Sequence, residues 1–328
     1  MDRLRLTAAV GDYDHVRDLW SGRVEAEGIE LVHLDLPIEE IFHRFTRSRE
    51  WEVSEMSMGR FVALRSRGDQ SMVAIPVFPS RVFRHSSVYV RADSDLDQLH
   101  QLKGLKVGVP EWAQTATIYL RGVLTDQCGI SLGDIEWFQA GLNQVGRAEP
   151  VEVNLPPGVR VSRVSDRTLD EMLASGFLDA IVSARRPPGL GPGGAHRRLL
   201  RDAQKVEQAY WSQTGIFPIM HVIVVRRDVY DAHPWVAMNL FDAFDRARRR
   251  SLDRLRESTA SRFPVPWAAD QLEHLTPLFG GDYWPYGLEP NRTTLTAFLR
   301  YAFEQGVCAC QLAPEELFPA AMLDPYRV

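Results

Sequence analysis

The chain has 328 residues, of which 45% are hydrophobic and 25% are charged, a composition typical of a soluble globular protein. Its 38 basic and 43 acidic side chains give a net charge of −5, which disfavours a nucleic-acid partner or a basic membrane-binding face. No apolar run approaches the roughly 18 to 20 residues needed to span a bilayer. The N-terminal segment has no apolar stretch of the secretory type, so we expect a cytoplasmic protein with no membrane partner.

Strand and helix patterns alternate along the first 80 residues, which favours a parallel sheet covered by helices. These patterns predict, in chain order, strand Leu4–Val10, a helical segment, strand Ile29–Leu34, helix Pro37–Phe45, strand Trp51–Met58, a helix ending near Ser66 and strand Met72–Val77.

A second alternating succession begins after residue 98 and is followed by a helical C-terminal region. Its predicted strands are Leu105–Val109, Ile135–Phe138, Val159–Val164, Leu178–Ser183 and Ile219–Val225. The predicted helices are Glu111–Thr125, Leu169–Ala174, Pro234–Glu257, Ala268–Leu275, Thr293–Glu304 and Glu315–Ala321.

These elements predict an α/β protein of two lobes with a ligand cleft between them. Residues 1–93 together with 217–328 form lobe I, and residues 94–216 form the inserted lobe II. Chain crossings near 90–95 and 212–218 would make the hinge. Because open α/β sheets bind ligands beyond the carboxyl ends of their strands, we expect the site in the cleft.

Three basic side chains, Arg81, Arg84 and His85, fall within five residues between an apolar run and a strand pattern. Guanidinium groups suit planar recognition of carboxylates, and an adjacent imidazole can move a proton. The segment therefore predicts a site for a small anion. Pairing of these residues with the chain's own Asp and Glu side chains is the alternative.

Further candidates stand where predicted strands end or helices begin. Glu111 and Thr115 open a predicted helix whose free N–H groups would seat a carboxylate, and Glu111 either donates a proton or stabilises its own helix. His221 lies on an apolar strand, where it is either functional or a hydrogen-bonded core residue. The remaining candidates are Tyr13, Glu55, Ser57 and Arg185.

Cofactor motifs are absent from the sequence, since it has no dinucleotide fingerprint, phosphate loop or metalloprotease signature. Cys128, Cys308 and Cys310 have no zinc-site spacing and are predicted to be structural or incidental thiols. We therefore expect no cofactor and no metal ligands, although the residues leave a divalent metal and homo-oligomerisation open.

Several segments together resemble the 4,5-dihydroxyphthalate decarboxylase family nearly from end to end. They are 53–57 (VSEMS), 75–86 (IPVFPSRVFRHS), 107–111 (VGVPE), 214–221 (TGIFPIMH), 284–287 (WPYG) with Asn291, and 305–306 (QG) with 315–318 (EELF). The resemblance implies a two-lobed fold of the type II periplasmic-binding-protein kind.

The resemblance also implies an activity, the cofactor-independent decarboxylation of a hydroxylated, phthalate-like aromatic acid by ring protonation and loss of CO2. In this hypothesis Arg81 and Arg84 clamp the small aromatic carboxylate, and Ser57 and Thr115 complete its seat. The proton donor is His85 or Glu111. His221 would accept the phenolic proton.

Two segments expected to line the cleft, 58–61 and 112–114, differ from the family pattern and leave the substrate open. A cytoplasmic binding or sensor protein for a small aromatic acid is one alternative. Another lyase on the same scaffold, acting on an enol acid, is a second alternative.

Overall fold

The computed structural model describes residues 3–257, 259 and 264–323; the predicted ends of lobe I at 1–2 and 324–328 lie outside this part. The strands are β1 Leu4–Ala9, β2 Ile29–Leu34, β3 Val53–Ser57, β4 Met72–Ile75, β5 Val88–Arg91, β6 Lys106–Val109, β7 Glu136–Gln139, β8 Val161–Arg163, β9 Ala180–Val182, β10 His196–Arg198 and β11 His221–Arg226. The helices are α1 Arg17–Trp20, α2 Ile38–Ser48, α3 Met58–Arg65, α4 Thr115–Cys128, α5 Leu169–Ala174, α6 Ala203–Thr214, α7 Arg227–Ala232, α8 Trp235–Arg256, α9 Ala268–Phe279 and α10 Arg292–Glu304.

The first sheet has the strand order β2-β1-β3-β11-β4. Strands β1, β2 and β3 are parallel, and β11 runs antiparallel between β3 and β4. Every residue of β3 is buried, including Glu55, because this strand is central and covered on both faces.

The second sheet repeats this arrangement, since its order is β10-β5-β9-β6-β7-β8. Here β6, β7, β8 and β9 are parallel, and β5 takes the antiparallel position that β11 has in the first sheet. The first sheet thus receives β11 from beyond the second chain crossing, whereas the strands of the second sheet, β5 to β10, are consecutive in the chain. The predicted α/β fold of two lobes is confirmed.

Some local expectations were wrong. Strand β5 pairs in the second sheet, so the first crossing precedes residue 88 instead of lying near 90–95. The predicted helix Glu315–Ala321 is two 3-10 turns, because Pro319 interrupts it. Strand β10 was not predicted, since three residues with two arginines carry no strand pattern.

The register of β3 and β11 brings the ends of distant segments together. His221, the first residue of β11, pairs with Ser57, the last residue of β3. The carboxyl ends of β6 and β9 in the second sheet face the same gap, since residues that follow both strands line one cavity with Ser57 and His221. Within the described residues, no helix has the length and hydropathy needed to cross a membrane.

Candidate active site

A cavity of about 160 Å³ lies between the two lobes, at the ends of these strands. Its lining residues are Ile38, Glu39, Phe42, Ser57, Arg60, Arg84, Glu111, Gln114, Thr115, Ala116, Arg147, Ala184, Arg185, Met220 and His221. Six of them, Ser57, Arg84, Glu111, Thr115, Arg185 and His221, were candidates from the sequence. The prediction of a site at the strand ends thus agrees with the position of the cavity.

The imidazole of His221 is held by a buried carboxylate. Nδ1 of His221 lies 2.6 Å from Oε1 of Glu55, whose side chain is fully buried. Glu55 also accepts hydrogen bonds from the Tyr13 hydroxyl at 2.7 Å and from the Gly11 amide at 2.8 Å. With Nδ1 engaged by Glu55, Nε2 is the nitrogen left for a ligand in the cavity, and the ring edge packs against Phe42.

Tyr13 and Glu55 therefore act behind His221 and do not line the cavity, contrary to their predicted contact with substrate. Burial, and next the Glu55 carboxylate, raise the pKa of Tyr13, so its hydroxyl stays protonated and donates to Glu55. The pair fixes the orientation of the imidazole.

Arg84 presents a guanidinium group without a counter-charge. Its Nε lies 3.1 Å from Sδ of Met220, and its Nη1 donates to the carbonyl oxygen of Ala184 at 3.5 Å. No carboxylate of the described part of the chain forms an ion pair with it. Burial lowers the pKa of Arg84 to about 10, which still leaves the side chain charged at pH 7. The cavity thus contains an uncommitted cation.

The other three arginines of the cavity are engaged by two glutamates across the cleft. Oε1 of Glu111 lies 2.7 Å from Arg147 and 3.3 Å from Arg60, and Oε1 of Glu39 lies 3.1 Å from Arg185 and 3.6 Å from Arg147. Three of these pairs, Arg60–Glu111, Arg147–Glu39 and Arg185–Glu39, join lobe I to lobe II. With Arg84, they give the cavity four guanidinium groups and two carboxylates, so two positive charges are in excess.

Glu111 accepts hydrogen bonds from two guanidinium groups through the same oxygen. Glu111 thus holds Arg60 and Arg147 by accepting hydrogen bonds, and it donates no proton in these contacts. The geometry therefore gives no support to the predicted role of Glu111 as proton donor.

Helix α4 begins at Thr115, four residues later than the predicted start at Glu111. The N–H groups at the start of the predicted helix were expected to bind a carboxylate ligand. Two of them, the amides of Trp112 and Ala113, donate instead to Glu149 at 2.5 and 3.1 Å. Burial raises the pKa of Glu149. The Thr115 hydroxyl lies 3.0 Å from that of Ser57, so the two hydroxyls join the lobes at the cavity wall.

Two of the predicted site residues, Arg81 and His85, do not line this cavity. Arg81 is 5% exposed and donates to Oδ1 of Asn291. His85 is 1% exposed and packs edge-on against Tyr210, and burial lowers its pKa to about 4. His85 is therefore neutral at pH 7 and apart from the site, so the geometry disfavours it as proton donor.

Sequence reasoning missed several lining residues, above all Arg60 and Arg147. Arg60 stands three residues after the end of β3, so the rule of strand ends would have identified it. Arg147 lies in the long connection from β7 to β8, where no pattern signals its position. Trp112 was expected to line the cleft, but its ring is buried, and the guanidinium carbon of Arg121 lies 3.8 Å from the ring centroid.

Gly59 is a point of close approach between the lobes. A methyl group at this position would overlap the carbonyl oxygen of Ala113, and the Gly59 amide donates to Thr115 at 2.9 Å. We expect Gly59→Ala to lower the free energy of unfolding by about 1–3 kcal/mol, the usual cost of overpacking. Urea denaturation measures this change. Gly191→Ala is the control, because a methyl group there meets nothing within 4 Å and should change stability little.

The comparisons place the fold in a known class, although no family model matches the chain. The periplasmic aliphatic sulphonate binding protein SsuA from Escherichia coli has a TM-score of 0.55 and 12% identity, covering 98% of this chain and 99% of that one. A ligand-binding component of an ABC-type import system from Staphylococcus aureus gives 0.54 and 12%, covering 98% of both chains. The fold is thus that of two-lobed periplasmic binding proteins.

The family follows from sequence similarity. A 4,5-dihydroxyphthalate decarboxylase from Comamonas testosteroni is 35% identical over 330 aligned positions, covering all of both chains. One from Pseudomonas putida is 37% identical over 188 positions, 57% of this chain and 73% of the relative. The chain belongs to the 4,5-dihydroxyphthalate decarboxylase family. The predicted family and enzyme class, a carboxy-lyase, are therefore confirmed.

Proposed function

We propose that this protein decarboxylates a hydroxylated aromatic acid with two carboxylates, and that 4,5-dihydroxyphthalate is its substrate. Beyond the family relationship, one observation carries the proposal. A single cavity contains an uncommitted guanidinium, that of Arg84, and an imidazole oriented by a buried carboxylate, that of His221. The excess of two positive charges in the cavity matches a dianion.

Arg84 binds one carboxylate of the substrate by its planar, charged donors. The second carboxylate is accepted at the N-terminus of α4, where Thr115 and Ala116 line the cavity and helix N–H groups favour an anion. Ser57, hydrogen-bonded to Thr115, adds a hydroxyl to the same wall. The ring is thereby fixed against rotation in the cleft.

The reaction needs one proton at the ring carbon that bears the departing carboxylate. Nε2 of protonated His221 transfers it, and the hydroxyl para to that carbon supplies electron density to the ring. The carbon–carbon bond to the carboxylate then breaks, its electron pair returns to the ring, and CO2 leaves. The imidazole regains a proton from solvent, to which 17% of the side chain is exposed. His221 thus replaces His85 and Glu111 in the donor role.

We also propose that the reaction needs no cofactor. The substrate's own para hydroxyl stabilises the protonated ring, and the reaction consumes neither an oxidant nor a reductant. Activity that survives treatment with a chelator and returns to no higher level when divalent ions are added would support this proposal.

A cytoplasmic location is part of the proposal. The described cysteines, Cys128, Cys308 and Cys310, are all free thiols, and Cys310 is exposed. Exposed free thiols are typical of a reducing compartment. Cell fractionation followed by immunodetection tests the location.

The experiment that tests the function uses purified, chelator-treated protein and 4,5-dihydroxyphthalate. Chromatography with mass detection should show a product lighter by one CO2, protocatechuate. Phthalate, which has both carboxylates and no hydroxyl, is the matched control and should remain unchanged. If 4,5-dihydroxyphthalate raises the thermal transition and is not turned over, the protein is a binder of this compound and the proposal is wrong.

A further inference from the structure

A second cavity, of about 320 Å³, is lined by Arg81 of the crossing segment, residues 76–84, which follow β4 and lead to the second sheet. Its lining residues are Arg81, Trp211, Gly215, Phe217, Phe279, Gly280, Asp282, Tyr283, Pro285, Pro290, Asn291 and Thr294. None of them lines the cavity between the lobes. Its volume falls in the range of small-molecule sites, roughly 300–1,000 Å³.

The guanidinium of Arg81 is the main polar group of this cavity. Its one hydrogen-bond acceptor in the described structure is the side-chain oxygen of Asn291, and its Nε has no partner there. The amide nitrogen of Asn291 is itself engaged by the carbonyl oxygens of Pro285 at 2.9 Å and Gly287 at 2.8 Å. Burial lowers the pKa of Arg81 to about 10, so the group remains charged at pH 7.

No described carboxylate forms an ion pair with Arg81, and the charge of Asp282 offsets only part of the effect of burial on its pKa. Asp282 lines the same cavity, but its Oδ1 accepts from Arg248 at 2.7 Å and from the amide of Trp284 at 3.2 Å. A buried charge without a counter-charge is costly, and such groups in proteins are usually paired. The cavity therefore offers a cation to an anionic ligand.

The walls of the cavity are aromatic. The Phe217 ring lies 5.2 Å from the Arg81 guanidinium carbon, and Phe279 stacks on Trp211 with ring centroids 4.7 Å apart. The buried hydroxyl of Tyr283 has no partner among the described residues. Aromatic walls around one cation suit a flat ring that carries a single negative group.

We propose that this second cavity binds an aromatic monocarboxylate, with the carboxylate on Arg81 and the ring packed against Phe217 and the stacked pair Trp211–Phe279. The site is separate from the cleft but adjoins it along the chain. The carbonyl oxygen of Ser80 accepts from the amides of Met220 at 2.8 Å and His221 at 3.4 Å. Arg81 therefore belongs to the backbone segment that supports both His221 and Arg84.

Benzoate is the probe, and benzamide, its uncharged analogue of nearly the same shape, is the matched control. Arg84→Gln first weakens the cleft as an anion site, because it removes the cavity arginine that has no ion-pair partner in the described structure. Isothermal titration of this variant should show saturable binding of benzoate and none of benzamide. Adding Arg81→Gln should weaken benzoate binding by about 10-fold or more, the value of a charged hydrogen bond.

Trp211→Ala in the same Arg84→Gln background keeps the charge and removes one aromatic wall. It should weaken benzoate binding several-fold and provides the test if Arg81→Gln fails to fold. Absence of benzoate binding to Arg84→Gln, equal binding of benzamide, or affinity unchanged by both further variants would overturn the proposal. Because the readout is binding and not turnover, the outcome is independent of the activity proposed for the cleft.

Discussion

Replacing His221 with asparagine should lower kcat for decarboxylation by about 10²- to 10⁴-fold, the usual contribution of a general acid. Asparagine has an amide N–H near the position of Nδ1, so Glu55 keeps a donor and no buried carboxylate is left unpaired. The variant lacks the ring edge that carries Nε2 and has no group that can transfer a proton. Steady-state kinetics on the wild type and His221→Asn measures the effect.

The loss should fall on kcat and leave KM within a few-fold of the wild type, because Arg84 and the α4 N-terminus remain to bind the carboxylates. His43→Asn is the control, since His43 is an exposed residue of α2 outside the cavity. It should leave kcat unchanged. A His221→Asn variant within about threefold of wild-type kcat would remove His221 from proton transfer.

Residues at strand ends were the part of the site that the sequence predicted best. Ser57 and Arg185 were chosen because predicted strands end near them, whereas His221 was chosen within a predicted strand close to the second crossing; the two sheets bring all three to one gap. This rule needs only the order and type of elements, which hydrophobic patterns indicate directly. The same rule would have added Arg60.

The crossing segment shows where such reasoning fails. Arg81, Arg84 and His85 are close in sequence, but residues 76–84 form no regular element with a period that assigns side chains to faces. Packing sends Arg84 into the cleft, Arg81 into the second cavity and His85 against Tyr210. A cluster in the sequence was therefore interpreted as one site, whereas the fold distributes it over three environments.

Contacts between distant loops also could not be predicted from the sequence. Glu149 accepts hydrogen bonds from the amides of Trp112 and Ala113, and Arg147 donates to Glu111. From the sequence alone, these three positions were expected to be available to a ligand. The segment that carries Glu149 and Arg147 has no helix or strand pattern. Its position over the cleft depends on tertiary packing, which a local pattern does not encode.

Replacing Arg84 with glutamine should lower kcat/KM by about 10- to 150-fold, which corresponds to about 1.5–3 kcal/mol for a hydrogen bond to a charged group. Arg84 is the cavity arginine without an ion-pair partner in the described structure, so no carboxylate of that part competes with the substrate for its charge. Arg84→Lys keeps the charge and loses the planar pair of donors, and should recover only part of the activity. Steady-state kinetics of the three proteins gives the comparison.

Arg185→Gln is the matched control for Arg84→Gln, because it removes the same charge from the same cavity. The Arg185 side chain is 60% exposed and paired with Glu39 at 3.1 Å, so its interaction with a ligand is weakened by solvent and by that carboxylate. We expect a loss of at most a few-fold in kcat/KM. Equal losses in the two variants would mean that the net charge of the cleft attracts the substrate. A loss confined to Arg84 would mean that one guanidinium, left unpaired by the fold, binds the carboxylate directly.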